Sequence, residues 1–379
     1  MKIIIVSTAY PLRGGIAHFN ALLAKHLGKY HNVETITFKR QYPGFLFPGK
    51  TQEESGNTAT GEIITPAPQL IDSINPLNWI SVAKTIAKRK PDLLIFKYWL
   101  PFFGPCFGTI AKWVKRKVNT KVLFICDNII PHEKRPGDVA FTNYAFGAAD
   151  YFVVQSKAVE QDLNKYFPNS TYRLIPHPLY ENFGTVLPQD EARTKLGITS
   201  KNVLLFFGYI RSYKGLMTLI DSMKLIVDSG EQDYQLLVVG EFYDEEQKYR
   251  DKVKALNLES SIRFFSDYVP NDEVATYFSA ADVVVLPYRS ATQSGIVQIA
   301  YNFDRPVIAT DVGGLAEVVI DNKTGFIVPP ENPDALSKSI LRFFKEREEK
   351  HFTENVSEEK KKYSWDNFIQ QIEEMIVKK

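Results

Sequence analysis

Hydrophobic and polar positions along this chain follow one repeated pattern. A short, continuous apolar run is followed by a polar or glycine-bearing loop, and the loop often by residues with helical spacing. Residues 3–6, 33–38, 92–97 (DLLIFK), 121–126 (KVLFIC), 151–154 and 173–175 make a first series of such runs. Residues 203–207, 234–239, 262–265, 283–286, 307–310 and 324–328 make a second. Runs of this kind fit strands buried on both faces of a parallel sheet. Residues 16–27 place Phe19, Leu22, Leu23 and Leu27 on one helical face. Strand–helix–strand alternation predicts an α/β fold with parallel sheets and right-handed crossovers. Pro176, Pro178 and the polar run to Pro188 read as a linker, after which the pattern starts again. Near the end, 334–344 reads as an amphipathic helix and 345–362 as a highly charged, solvated segment. Residues 365–377 read as a last helix with Phe368, Ile369, Ile372, Met375 and Ile376 placed to dock. A helix ending at Ala280 has Asn271 or Asp272 as its candidate cap.

Composition narrows the class. With 379 residues, 44% of them hydrophobic, the chain is long enough for two cored domains. A net charge of +2 gives no global nucleic-acid signature, so no nucleic-acid partner is expected. Two cysteines, Cys106 and Cys126, are too few for a disulfide framework and suit a reducing compartment. The apolar run after Met1 is too short for a signal peptide, and no uncharged segment reaches transmembrane length. The expectation is a cytoplasmic protein. Two basic stretches, 39–50 (KRQYPGFLFPGK) and 112–117, suit peripheral contact with the inner membrane face. The first reads equally as a loop folded under its own aromatics, and the usual meaning of the second is a solvated helix face.

The chemistry-bearing residues sit where predicted strands end. After the first strand, STAYPLRGG brings Gly14 and Gly15 to a helix start, although the dinucleotide pattern GxGxxG is absent. After KVLFIC, the loop DNIIPHEKRP concentrates Asp127, His132 and Glu133, the material of an active site. In the second half, GYIRSYKG carries Gly208, Arg211 and Lys214, and two cations three apart suit a diphosphate. Glu241 follows the 234–239 strand. Tyr288 follows the 283–286 strand, and the polar loop SATQSG then supplies Gln293, Ser294 and Gly295 to a helix over 296–303. A small-residue loop feeding a helix start leaves backbone N–H groups free for an anion. No acidic cluster lies at a strand end, so neither a metal nor a cofactor is expected.

The segments GYIRSYKGLMTLIDSM, VVVLPYRS and SGIVQIAYNFDRPVIATDVGGLAEVVIDNKTGFIVPP closely resemble the group 1 (family 4) retaining glycosyltransferases. The first half resembles them more loosely, through its GG loop and the loop after KVLFIC, and YSWDNF resembles their terminal segment. The resemblance implies the GT-B architecture: two Rossmann-like doubly wound domains facing a central cleft, with a C-terminal helix crossing back. It assigns residues 1–180 and the 363–379 helix to an acceptor domain, and 190–362 to a donor domain. It implies transfer of a sugar, with retention, from a nucleotide-diphosphate-sugar, a UDP- or GDP-sugar, to a glycan or lipid-linked acceptor in cell-envelope polysaccharide synthesis. Arg211 and Lys214 then grip the diphosphate. Gly14 and Gly15 lie over donor or acceptor, and Gly208, Glu241, Tyr288, Gln293, Ser294 and Gly295 complete the donor-binding set. His132 and Asp127 are the catalytic candidates of the first half.

Two departures from the family pattern matter. The family's paired glutamates, eight residues apart, fall on Ala291 and Ile299. The histidine that members often carry directly after the strand ending at Cys126 is replaced by Asp127, with His132 five residues on. A catalytically silent sugar-nucleotide-binding subunit therefore stays open, as do a sugar-nucleotide epimerase and a phosphorylase on the same fold.

Overall fold

A computed structural model of the protein describes residues 1–43, 53, 66–130, 135–231, 233–346 and 348–377. They form two units. The first runs to Pro178 and regains the chain at Ser364; the second spans Leu179–Tyr363.

The first unit is built on a seven-stranded sheet in the order β3-β2-β1-β4-β5-β6-β7. Its strands are β1 (Lys2–Val6), β2 (Asn32–Arg40), β3 (Gln69–Asp72), β4 (Leu93–Tyr98), β5 (Lys121–Cys126), β6 (Tyr151–Val154) and β7 (Tyr172–Leu174). Every neighbouring pair is parallel. The continuous apolar runs become the central strands, and β4 is buried at all of its positions because helices cover both faces. One face packs Phe96, Phe124 and Phe152 with Phe103, Phe107 and Phe146 in a phenylalanine-rich core. The other is covered by the Gly15–Leu27 and Trp365–Val377 helices, where Phe19 meets Trp365 and Phe368 at ring separations of 5.3 and 5.9 Å. Phe368, Ile369, Ile372 and Met375 are buried there, so the terminal helix does dock.

The second unit has a six-stranded sheet in the order β10-β9-β8-β11-β12-β13. Its strands are β8 (Asn202–Phe207), β9 (Tyr234–Val239), β10 (Ile262–Phe265), β11 (Val283–Leu286), β12 (Val307–Thr310) and β13 (Gly325–Val328), again parallel throughout. In both sheets the order reverses once, between β1 and β4 and between β8 and β11. Those reversals open a crevice beyond the strands' carboxyl ends, the usual ligand position in open α/β sheets.

Three local readings of the sequence need correction. Residues 345–362 are not merely a solvated segment: Glu348–Glu359 is a helix that buries Phe352 and Val356, which the surrounding charge concealed. Asn271 and Asp272 do not cap the Asn271–Ala280 helix; Pro270 stands at the cap and both residues lie in the first turn. The basic helix of the first unit, read from the sequence over 109–118, runs Gly104–Lys115: it starts earlier because Pro105 is tolerated in a first turn, and it ends before Arg116 and Lys117.

Candidate active site

In the second unit the loops after β8 and β11 meet at the strand-order reversal. The β8 loop contains a short turn, Ser212–Lys214, and ends at Gly215. Gly215 has a positive φ of 71°, and a Cβ there would stand 1.8 Å from the Pro287 carbonyl oxygen. Glycine is thus what lets the β8 loop lie on the β11 exit. The Arg289 backbone N–H donates to the Tyr213 carbonyl at 2.7 Å, tying the loops a second time. The β11 loop is anchored from β12 as well. Thr310 Oγ1 donates to the Tyr288 carbonyl at 2.6 Å, and the Gly314 N–H to the Thr292 carbonyl at 3.0 Å.

Two helices begin at these loops. Leu216–Asp228 has no side-chain cap and no acid in its first turn. Gly295–Asn302 is capped by Ser294, whose Oγ accepts from the Ile296 N–H at 3.3 Å. The same Ser294 hydroxyl lies 3.4 Å from the Tyr288 hydroxyl.

Lys214 is buried between these elements. Its Nζ lies 5.6 Å from the Tyr288 ring centroid, and a Cβ on Gly208 would approach it to 3.2 Å. Burial, reinforced by the Arg211 charge, pushes the Lys214 ammonium down to about 7. Arg211 is exposed, with its guanidinium 4.7 Å from the Tyr243 ring centroid. Among the described residues neither cation has a carboxylate partner, whereas Lys195, Lys224, Lys252 and Lys338 are each paired with one. Two uncompensated cations beside two helix starts make an anion site.

The shift on Lys214 has a consequence for stability. Its folded pKa lies below its unfolded value of about 10.4, so between about pH 7 and 10.4 the unfolded chain holds a proton that the folded protein has lost. Stability therefore rises with pH across that window, and the cost of burying the cation is fully felt below about pH 7. Lys214→Met removes that cost. Its melting temperature should exceed wild type at pH 6 by about 3 °C or more, with the gain shrinking by pH 9; an equal or lower value at pH 6 would contradict the burial argument.

The structure thus gathers Gly208, Lys214, Tyr288, Ser294 and Gly295 around one switch point. Glu241 lies buried one strand away, where the Ile210 N–H donates to its carbonyl at 2.9 Å. Gln293 sits in the loop between Thr292 and Ser294 and is half-buried. Of the two positions where the family carries glutamates, Ile299 is buried and apolar, and the Ala291 carbonyl packs on Gly313. Tyr213 and Tyr243 were missed by sequence reasoning, although Tyr213 stands between the two cations in GYIRSYKG.

In the first unit Gly14 is the cap residue of the Gly15–Leu27 helix, with open space where a Cβ would stand. Asp127 follows β5, and its carboxylate Oδ1 lies 2.6 Å from Lys97 Nζ. Lys97, at the end of β4, was not singled out from the sequence. Burial lowers the Lys97 pKa and the adjacent Asp127 opposes that shift. His177, edge-on to Phe19, is pushed down to about 3 by burial and by the Lys97 charge. His132 and Glu133 lie outside the described residues, as do residues 44–50 of the basic–aromatic loop. In the basic helix, Lys115 pairs with Asp150 at 2.9 Å and Lys112 sits 3.6 Å over the Tyr144 ring. No described helix is long and apolar enough to cross a membrane, and no described group of His, Cys, Asp or Glu is arranged to hold a metal ion.

Comparison with known proteins fits this geometry. Residues 188–362 match the family described as Glycosyl transferases group 1. Over 97% of its length the chain is 27% identical to an uncharacterized glycosyltransferase of Methanocaldococcus jannaschii, covering 96% of that protein. It is 26% identical to a D-inositol 3-phosphate glycosyltransferase of Corynebacterium urealyticum, over 60% of this chain and 56% of the relative. Among solved structures, Anabaena HepE in complex with UDP superposes with a TM-score of 0.78 at 18% identity, over 100% of both chains. Sucrose-phosphate synthase from Thermosynechococcus elongatus gives 0.75 at 20% identity, over 100% of this chain and 99% of that one. The two parallel-sheet, Rossmann-like units are those of the GT-B fold. The stretch that matches the group 1 model, residues 188–362, contains the β8/β11 switch point with Arg211 and Lys214.

Proposed function

We propose that the protein is a retaining glycosyltransferase of family 4 that moves a sugar from a nucleotide-diphosphate-sugar to a hydroxyl of a glycan or lipid-linked acceptor. One observation carries the reading: Arg211 and Lys214, with no carboxylate partner among the described residues, stand beside two helix starts at the β8/β11 switch point. The donor diphosphate binds there. The bond from the sugar's anomeric carbon to the β-phosphate oxygen breaks, and the leaving diphosphate takes up negative charge. Lys214, Arg211 and the helix-start amides stabilise that charge, the usual way a preorganised site lowers such a barrier. The acceptor oxygen bonds to the anomeric carbon, and its proton leaves to a phosphate oxygen on the same face. The cations fill the role that a divalent metal plays elsewhere, so the reaction is metal-independent. The first unit holds the acceptor, with Asp127 at its site. A UDP-sugar is the favoured donor, since HepE is known in complex with UDP-glucose.

A second reading has one observation in its favour. Apolar Ile299 and small Ala291 stand where the family carries glutamates, which suits a subunit that binds sugar nucleotides without turning them over. A thermal-shift screen of UDP-, GDP-, ADP- and dTDP-sugars in EDTA tests what both readings share. One class should raise the melting temperature by about 3 °C or more at saturation. No shift with any of them would sink the proposed site, and a shift that needs Mg²⁺ would overturn its metal independence.

A further inference from the structure

The first unit contains a buried cation that the mechanism above does not use. Lys97 is 1% exposed. The strand register explains where it points. Phe96, Phe124 and Phe152 are laterally paired and share the phenylalanine-rich face, so Lys97, Ile125 and Val153 line the opposite one. Asp127 and Gln155, two residues beyond Ile125 and Val153, continue that opposite row past the strand ends. The ammonium reaches both: Nζ lies 2.6 Å from Asp127 Oδ1 and donates to Gln155 Oε1 at 2.7 Å. Phe19 closes over it, with its ring centroid 3.6 Å from Nζ. The Asp127 carboxylate is therefore held from below by a cation that is itself fixed on three sides. Its backbone is fixed too, since the Asp127 N–H donates to the Tyr98 carbonyl at 2.8 Å.

Packing alone does not call for a lysine here. Ile95, two residues earlier on the same row, is fully buried and apolar. A buried ion pair is a poor way to gain stability, because desolvation offsets most of the attraction. What it does supply is one fixed geometry for a carboxylate at the ligand-binding edge of a sheet.

We infer that Lys97 is a positioning residue, which holds the Asp127 carboxylate in a single orientation at the end of β5 for use in the transfer reaction. This rests on the reading that Asp127 belongs to the acceptor site. Lys97 touches neither donor nor acceptor; it acts through Asp127.

The test is a double-mutant cycle on the full chain with Lys97→Met, Lys97→Arg, Asp127→Asn and Lys97→Met/Asp127→Asn. UDP release from UDP-glucose, with water as acceptor, gives kcat and KM. Crystal structures of wild type and Lys97→Met report the Asp127 rotamer whatever the turnover. Lys97→Met should lower kcat by about 30-fold or more with KM within about twofold, and Lys97→Arg should restore most of the loss. In the Asp127→Asn background Lys97→Met should change nothing further, because the two residues act as one unit. Asp127 should take several orientations in Lys97→Met and one in wild type. An unchanged rotamer, or losses that multiply across the cycle, overturns the inference while leaving the role of Asp127 intact. A silent Asp127→Asn overturns the site reading, and the inference with it. If Lys97→Met does not fold, Lys97→Gln, uncharged and of similar length, takes its place with the same expectations.

Discussion

Lys214→Ala should lower kcat/KM for sugar transfer by about 10²–10³-fold, that is, by about 3–4 kcal/mol of transition-state stabilisation. Arg211→Ala should cost less, on the order of 2–3 kcal/mol. The difference follows from burial. Lys214 is 8% exposed and works in a low-dielectric setting, where a charge-assisted contact to a departing diphosphate is strong. Arg211 is exposed and screened by salt. Raising the salt concentration should therefore narrow the gap between Arg211→Ala and wild type and leave the Lys214→Ala gap nearly unchanged. Because the leaving charge grows in the transition state, both losses should fall more on kcat than on KM. Initial rates over a salt series check this, and activity within about threefold of wild type for both variants would remove the cations from the mechanism.

Gly313→Val should be the most damaging single change outside the charged residues. Gly313 turns the chain after β12 with φ 51°, a conformation that β-branched residues rarely adopt. A Cβ there would fall 1.6 Å from the Ala291 carbonyl oxygen. That contact is with backbone, so the 290–294 loop must move, and with it the Gln293 and Ser294 end that feeds the Gly295–Asn302 helix. Backbone strain and the clash together should cost about 3 kcal/mol or more, a fall of roughly 6–12 °C in the melting temperature of a unit this size. Donor affinity should also fall in whatever protein stays folded. Calorimetry with nucleotide titration measures both. A melting temperature within about 2 °C of wild type and unchanged affinity would mean that the loop is not braced by Gly313.

Much of the fold was legible because a strand buried on both faces must be apolar throughout, and IIIV, VLLFF and VVVL are. The loops at the β8/β11 reversal were legible for a related reason: GYIRSYKG and SATQSG interrupt those runs with residue types that suit anions and tight turns. Other features depend on distances that a sequence does not carry. Lys97 reads as one cation closing an apolar strand, and only the lateral register sets it beside Asp127 and Gln155. Gly313 reads as half of a GG turn, while its importance comes from a carbonyl 22 residues earlier. The Glu348–Glu359 helix was hidden because its buried residues, Phe352 and Val356, are sparse among charges, and i, i+4 spacing alone is a weak signal.

The most direct measurement is the identity of the products formed from a sugar nucleotide. The purified protein would be incubated in EDTA with a UDP- or GDP-sugar, without acceptor, and the mixture followed by ³¹P NMR for the phosphates and by ¹H NMR for the anomeric proton of the freshly released sugar, before it mutarotates. The account predicts slow release of the nucleoside diphosphate with free sugar of retained anomeric configuration, suppressed in Lys214→Ala. A nucleoside monophosphate with sugar 1-phosphate would place the broken bond within the diphosphate and contradict the account. So would a sugar nucleotide that binds and comes back unchanged, even with acceptor glycans added.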